Sequence, residues 1–229
     1  MKADKYTFFK LEITELIDNK QKPQLAELSI DASTELPYSD YTRTLDIDNA
    51  IHTVMYKENG ITFKREYFMS YPDNVMVMRL TSDSKKGKLS RIISLESLHT
   101  DKTITADSHT ITMTGYPTPV SGDKRIGDAW KNGLKYAQQL VVRNKGGKIS
   151  VVDGTKLKVE DADEIIVLMS AATNYVQCMD DSYNYFSQED PLEKVQATLH
   201  KVADKKYTAL LATHQKDYHS LYLSLIHIS

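Results

Sequence analysis

The stretch IHTVMYKENGITFKREYFMS, residues 51–70, decides the fold class of this chain. Side chains alternate with a period of two in residues 51–55 and again in residues 61–67, as they do in a β-strand. Asn59-Gly60 stands between the two runs. An Asn-Gly pair supplies the positive φ angles that a two-residue hairpin turn needs. The stretch therefore predicts a β-hairpin.

Short β-rich runs separated by turn residues continue outward from this hairpin, from Leu25 to Ser170. Such runs at close intervals favour an antiparallel sandwich over a βαβ fold, which needs helices between its strands. The other predicted strands are residues 74–82, 88–98, 103–106, 110–114, 133–143, 157–160 and 164–172, with a turn at Lys145-Gly146-Gly147. We predict a mainly β fold, an antiparallel sandwich followed by an α-helical linker.

Three segments depart from the strand pattern. Residues 7–19 space their apolar side chains as a helix does, and they end in a polar turn before Pro23. Residues 115–132 are rich in Gly and Pro, cannot continue a central strand, and form the longest predicted loop. Further along, Asp190 and Pro191 suit a helix cap and a first helical position. Apolar residues then recur at helical spacing up to Tyr218, which predicts two helices that act as a linker rather than as core.

Composition excludes several classes of function. The 229 residues carry a formal charge of −2, and no cluster of Lys and Arg is interleaved with aromatic residues, so we expect no nucleic-acid partner. No apolar run approaches the roughly 20 residues of a membrane span. The single cysteine, Cys178, excludes an intrachain disulfide and a cysteine-based zinc cage. The first residues lack the apolar run of a signal peptide, so we expect either a cytoplasmic protein or a true start upstream.

Spacing alone assembles no catalytic set. His214 and His219 are five residues apart and point in different directions on a helix, unlike the i, i+4 pair of a zinc protease. For His214, which shares a helix face with Asp217, we expect a packing or hydrogen-bonding role. The carboxylate pairs Asp180-Asp181 and Glu189-Asp190 lie in polar segments, whereas glycosidic chemistry needs two carboxyl groups held across a substrate.

Two further features bear on binding. Arg65 and Glu66 are neighbours in a strand and face opposite sides of the sheet, so we expect one of them to be buried or bridged to a neighbouring strand. The 14 tyrosines could stack on sugars, although tyrosine is equally common in sandwich cores.

Several segments, in order, resemble the N-terminal domain of the family 95 glycoside hydrolases, the α-L-fucosidase type. Residues 41–50, YTRTLDIDNA, are similar to that family's Y-x-R-x-L-D-L-x-x-A strand. Residues 63–75, FKREYFMSYPDNV, are similar to its Y-x-R-E-x-F-x-S-x-P-D-x-V, with Phe63 in place of the first tyrosine. Other segments are similar to that family's Q-P-L-G-D-L strand, to its remaining sandwich strands and to its H-x-x-D-Y linker helix. In chain order they are residues 23–28, 134–136, 146–147, 159–164, 171–175 and 214–218.

The resemblance implies a large bacterial enzyme with a β-supersandwich, a helical linker, an (α/α)₆ barrel and a terminal β domain. Such enzymes hydrolyse terminal α-L-fucosyl or α-L-galactosyl linkages with inversion and without a metal or other cofactor. Their catalytic residues all lie in the barrel, so the resemblance assigns no catalytic residue to this chain. A fucosylated oligosaccharide, or a plant or host glycan, would meet the parent protein through the missing barrel. An exported parent, periplasmic or extracellular, would suit such glycans, but the sequence itself assigns no compartment.

The predicted organisation is a helix and turn in residues 1–22, the sandwich in residues 23–178, and the linker in residues 179–222. Residues 223–229, LSLIHIS, resemble a translated sequencing adapter, so we expect the natural sequence to continue differently after Tyr222.

The resemblance also suggests where the domain approaches substrate. Thr173, Asn174 and Tyr175, in a turn at the sandwich end, and Trp130, in the long loop, are the candidates for shaping the pocket of the barrel. The alternative is that these residues only pack domains together. Two other interpretations of the whole chain stay open: a stand-alone carbohydrate-binding sandwich, and the N-terminal domain of a related disaccharide phosphorylase.

Overall fold

The computed structural model describes residues 38–84, 89–117, 133–176 and 186–226, with side chains as far as Tyr222. The predicted helix at residues 7–19, Trp130, Cys178 and Asp180-Asp181 lie outside the described residues. The strands are β1 Tyr38–Asp46, β2 Ile51–Glu58, β3 Ile61–Ser70, β4 Val75–Ser82, β5 Leu89–Ser94, β6 Lys102–Asp107, β7 Thr110–Gly115, β8 Tyr136–Lys145, β9 Lys148–Val152, β10 Lys156–Ala162 and β11 Glu164–Thr173. The helices are α1 Pro191–Val202 and α2 Tyr207–Ile226.

The strands form two antiparallel sheets, which confirms the predicted fold class. The larger sheet has the order β1-β2-β3-β4-β11-β8-β7-β6, and the smaller has the order β5-β10-β9. The predicted hairpin joins β2 to β3, and Asn59 and Gly60 have φ angles of 51° and 76°. The predicted Gly146-Gly147 turn leads into β9, a strand that the sequence pattern does not predict.

One core lies between the two sheets. Alternate residues of the larger sheet, such as Ile165 and Val167 of β11, meet Leu157 and Val159 of the smaller sheet, and Ile165, Leu157 and Val159 are fully buried. The period of two in these strands is therefore the period of a sheet with a buried inner face.

A second core lies on the other face of the larger sheet, under the two helices. Val195 and Leu199 of α1 and Leu210 of α2 are buried against strand residues that include Phe68 and Leu168. Helix α1 begins as predicted, because the Asp190 carboxylate accepts a hydrogen bond from the Leu192 amide at 2.9 Å. The prediction that these helices are not part of the core is therefore wrong, because both helices bury apolar side chains against the larger sheet.

Helix α2 holds the turn between β1 and β2. Nε2 of His214 lies 3.0 Å from the Ala50 carbonyl oxygen, and Nε2 of His219 lies 2.7 Å from that of Asp48. A carbonyl oxygen only accepts, so both imidazoles present a protonated Nε2. The Tyr218 hydroxyl donates to the Ile47 carbonyl at 2.6 Å. We call this set of contacts the α2 clasp; it confirms the packing and hydrogen-bonding role predicted for His214, which also stacks on Phe68.

No helix in the described part of the chain is long and apolar enough to cross a membrane.

Candidate functional site: the tyrosine groove

A groove of about 730 Å³ lies on the inner face of the larger sheet. Its floor is formed by β1, β2 and β3, beyond the part of the sheet that the smaller sheet covers, and Arg91 of β5 forms one wall. This volume falls in the range of about 300–1,000 Å³ that is usual for small-molecule sites. We call it the tyrosine groove; its lining residues are Tyr38, Tyr41, Arg43, His52, Val54, Tyr56, Glu58, Arg65, Tyr67 and Arg91.

A β-bulge in β1 brings two of the tyrosines to the same face. Ser39 pairs with Lys57 while Thr42 pairs with Met55, so β1 has one extra residue between these two points. Asp40, inside the bulge, has a φ of 52°. The extra residue shifts the alternation of the strand, because each strand residue normally faces the side opposite to its neighbour. Tyr38 and Tyr41 therefore both line the groove, with ring centroids 5.8 Å apart.

Two arginines converge on one hydroxyl group in the floor. Arg65 and Arg91 each donate a hydrogen bond to the Tyr56 hydroxyl, at 3.1 and 3.2 Å. The Arg65 guanidinium also lies over the Tyr56 ring, 5.2 Å from its centroid. Burial alone would lower the pKa of Arg65, but its interactions with Tyr56 and Tyr67 outweigh burial and raise that pKa. The floor is therefore a fixed cationic surface.

The groove also has unused hydrogen-bonding capacity. Nε of Arg65 is buried and has no hydrogen-bond partner in the described residues. The two arginines donate to the Tyr56 hydroxyl, so its own proton is left to donate to another acceptor. The Tyr56 hydroxyl suits a ligand that brings an acceptor oxygen.

The candidate residues Thr173, Asn174 and Tyr175 lie elsewhere, at the end of β11. Asn174 is buried; its side-chain oxygen accepts from the Lys135 amide at 2.7 Å, and its amide group donates to the Gly133 carbonyl at 2.8 Å. A pocket of about 150 Å³ beside Lys135 extends to Asp190. The Asn174 amide thus ties together the segments that border this pocket.

Tyr175 is an exposed residue of this turn. Its side chain is 54% exposed, and its backbone forms a bridge with Phe186. The Thr173 hydroxyl accepts a hydrogen bond from the Tyr175 amide at 3.3 Å. The structure therefore brings Thr173, Asn174 and Tyr175 together at one corner of the sandwich, while Trp130 lies outside the described residues.

A cavity of about 570 Å³ on the helix side is lined by three carboxylates, of which two lie on strands, Glu66 and Glu164. Both contact Arg79: the Glu164 oxygen lies 2.6 Å from Nε, and the Glu66 oxygen lies 3.4 Å from Nη1. This ion pair confirms that Glu66 is bridged to a neighbouring strand. Arg79 also lies over the ring of Tyr207. Burial, followed by the charge of the nearby Glu66, raises the pKa of Tyr207 to about 12. These carboxylates therefore bridge neighbouring strands, and Arg79 joins the sheet to α2.

The second carboxylate pair considered in the sequence, Glu189-Asp190, also has structural partners. Asp190 caps α1, and Glu189 forms an ion pair with Lys194 at 2.6 Å. In the described ranges no group of three or more His, Cys, Asp or Glu residues is arranged to hold a metal ion.

Sequence analysis missed the tyrosine groove, although part of its signal was present. Alternation in β2 and β3 places His52, Tyr56, Arg65 and Tyr67 on one face. Alternation does not predict that Tyr38 and Tyr41 of β1 face the same side, because they are three residues apart. Only the bulge places them on one face.

Comparison with known proteins gives a consistent family assignment. The model of "Glycosyl hydrolase family 65, N-terminal domain" matches residues 8–178. The chain is 32% identical to Alpha-L-fucosidase 2 of Arabidopsis thaliana over 80% of this chain and 23% of that protein. It is 28% identical to "Probable alpha-fucosidase A" of Aspergillus niger over 86% of this chain and 24% of that protein. The chain thus spans about a quarter of the length of these curated relatives.

A solved structure shares the fold. A "Putative kojibiose phosphorylase from human microbiome" matches with a TM-score of 0.54 over 81% of this chain and 25% of that chain, at 9% sequence identity.

Proposed function

The chain belongs to the family of glycosyl hydrolase family 65 N-terminal domains, and we propose that it is the non-catalytic N-terminal domain of a larger enzyme that removes terminal α-L-fucosyl or α-L-galactosyl residues. The membership confirms the predicted N-terminal domain of a glycoside hydrolase. The family number differs, since the resemblance pointed to family 95 and the matching model is that of family 65.

The observation that carries the proposal is the likeness to two proteins named as fucosidases, each over at least 80% of this chain. Inversion at the sugar carbon, a bacterial origin, an exported parent and membership of family 95 are parts of the same proposal, and they rest on the resemblance of residues 41–50 and 63–75. The chain would contribute the sandwich in residues 23–178 and the linker in residues 179–222, and the catalytic barrel would follow.

Thr173, Asn174, Tyr175 and Trp130 are proposed to approach the pocket of that barrel. The support is the geometry of the corner, where buried Asn174 fixes the backbone and leaves the Tyr175 ring exposed to a neighbour. In the parent, Tyr175→Ala should raise KM for an α-L-fucoside if the ring contacts sugar. If it only packs domains together, the substitution should lower the unfolding temperature and leave KM unchanged.

The 229-residue chain by itself is expected to be inactive. The test is incubation of the purified chain with p-nitrophenyl α-L-fucoside, with a mock purification as control. Turnover above the mock level would contradict the proposal.

The parent's reaction is tested by extending the reading frame beyond Tyr222 and expressing the complete protein. NMR should detect β-L-fucose as the first product of an α-L-fucoside, because inversion changes the anomer. Release that requires inorganic phosphate would instead support the phosphorylase interpretation.

The second candidate function is a stand-alone carbohydrate-binding domain, which the tyrosine groove favours. A stop codon directly after the two helices would support it, since no barrel would then follow.

A further inference from the structure

The tyrosine groove has no part in the proposed role of the domain. It lies on the inner face of the larger sheet, whereas α1 and α2 cover the outer face. None of Thr173, Asn174 and Tyr175 lines it. Its chemistry therefore calls for a separate explanation.

We propose that the tyrosine groove binds an acidic saccharide, a sugar unit that carries a carboxylate or sulfate group. The proposal concerns this domain alone and does not depend on the reaction that the parent catalyses.

The charge of the groove selects an anion. The groove is lined by three arginines, Arg43, Arg65 and Arg91, and by one carboxylate, Glu58. With His52 neutral, these side chains give the groove a formal charge of +2. Arg91 lies 3.9 Å from Glu58, a distance that leaves room for a closer partner. Arg43 has no ion pair with any residue in the described ranges. Guanidinium groups bind carboxylate and sulfate oxygens with paired N–H donors, so they match this anion better than a neutral hydroxyl group.

The exposed tyrosine rings favour a ligand in which the anionic group is attached to a sugar ring. Tyr38 and Tyr41 are 39% and 50% exposed, and their rings are tilted by 49° to each other. Two exposed aromatic faces at an angle form a cradle for the C–H face of a pyranose, because aromatic rings combine apolar area with a polar edge. The cradle and the arginines share one cavity, so one ligand can contact both.

An acidic peptide would contact the sheet in a different way. An extended peptide adds to a sheet through main-chain hydrogen bonds at a strand edge. The tyrosine groove presents side chains on the face of the sheet, which suits a compact ring better than an extended backbone. A peptide ligand is therefore included as a competing outcome of the test.

The experiment is a calorimetric titration of the 229-residue chain with trigalacturonate, a sulfated galactose trisaccharide and the methyl ester of trigalacturonate. We expect at least one acidic trisaccharide to bind about tenfold or more tightly than the ester, because removing the charge removes a charge-assisted hydrogen bond. The acid that binds better identifies the anion. Affinity should fall as salt is raised, since the groove is open to solvent.

Two variants with matched controls locate the binding. Arg43→Gln and Tyr41→Ala change exposed groove residues and should each weaken binding about tenfold. Lys201→Gln removes an equal charge from the exposed side of α1, and Tyr71→Ala removes a ring that is 84% exposed outside the groove, so both should bind as the unchanged protein does. Circular dichroism confirms that each variant is folded.

Any one of four results would overturn the proposal. The methyl ester could bind as tightly as both acids, or neither acid could bind at millimolar concentration. A glutamate hexapeptide could bind as tightly as the trisaccharide, or the control variants could lose as much affinity as the groove variants. The comparison of acid with ester uses unchanged protein, so it stands even if a variant fails to fold.

Discussion

Replacing Leu199 with alanine tests whether the two helices are part of the folded domain. Leu199 is 1% exposed and packs in the core between α1 and the larger sheet. Truncating a buried leucine to alanine costs about 2–5 kcal/mol, because apolar contacts are lost and a cavity remains. With about 3.5 kcal/mol lost and about 3 °C per kcal/mol for a domain of this size, the unfolding temperature should fall by about 10 °C.

The assay is thermal unfolding followed by far-UV and near-UV circular dichroism, with Gln196→Ala as the matched control. Gln196 lies on the exposed side of the same helix, so its substitution should change stability by less than about 0.5 kcal/mol. We expect one transition, shifted equally in both signals by Leu199→Ala. If the helical signal melted first, or if the sheet transition moved by less than about 2 °C, the helices would be an independent linker and the reasoning would be refuted.

Three further predictions concern a cap, a turn and a buried phenol. Asp190→Ala removes the acceptor for the Leu192 amide and should cost about 1 kcal/mol in urea denaturation, whereas Asp190→Asn, which keeps an acceptor oxygen, should cost much less. Gly147→Ala should lower the unfolding temperature far more than Gly154→Ala: both residues have a φ of 65°, but only at Gly147 would a Cβ overlap the Glu160 carbonyl oxygen. Equal effects would show that the overlap is relieved. Stability should fall as pH rises from 10 to about 12, because the pKa of Tyr207 is raised in the folded state and the unfolded chain releases that proton first. Tyr207→Phe should flatten this fall in alkaline melts, and Tyr71→Phe should not.

The local features of the fold could be predicted because their signals lie within a few residues. Asn59-Gly60 specifies the turn between two alternating runs, and Asp190-Pro191 specifies the start of α1. Strand β9 escaped prediction because it is five residues long and mostly exposed, so burial imposes little pattern on it.

The pairing of the strands could not be predicted, because no local sequence pattern identifies the partner of a strand. Strand β5 follows β4 in the chain, yet it leaves the larger sheet and pairs with β10, some 65 residues later. The bulge at Asp40 is likewise defined by the register between β1 and β2. The tyrosine groove depends on that bulge, so it could be found only in three dimensions.

The α2 clasp has a consequence for how the chain folds during synthesis. It joins the turn at residues 47–50 to a helix that follows about 164–171 positions later. At about 5–20 residues per second, a ribosome needs roughly 8–34 s to make that interval of chain. During that time β1 of the nascent polypeptide lacks its contacts with α2, and a chaperone that binds exposed strands can bind β1.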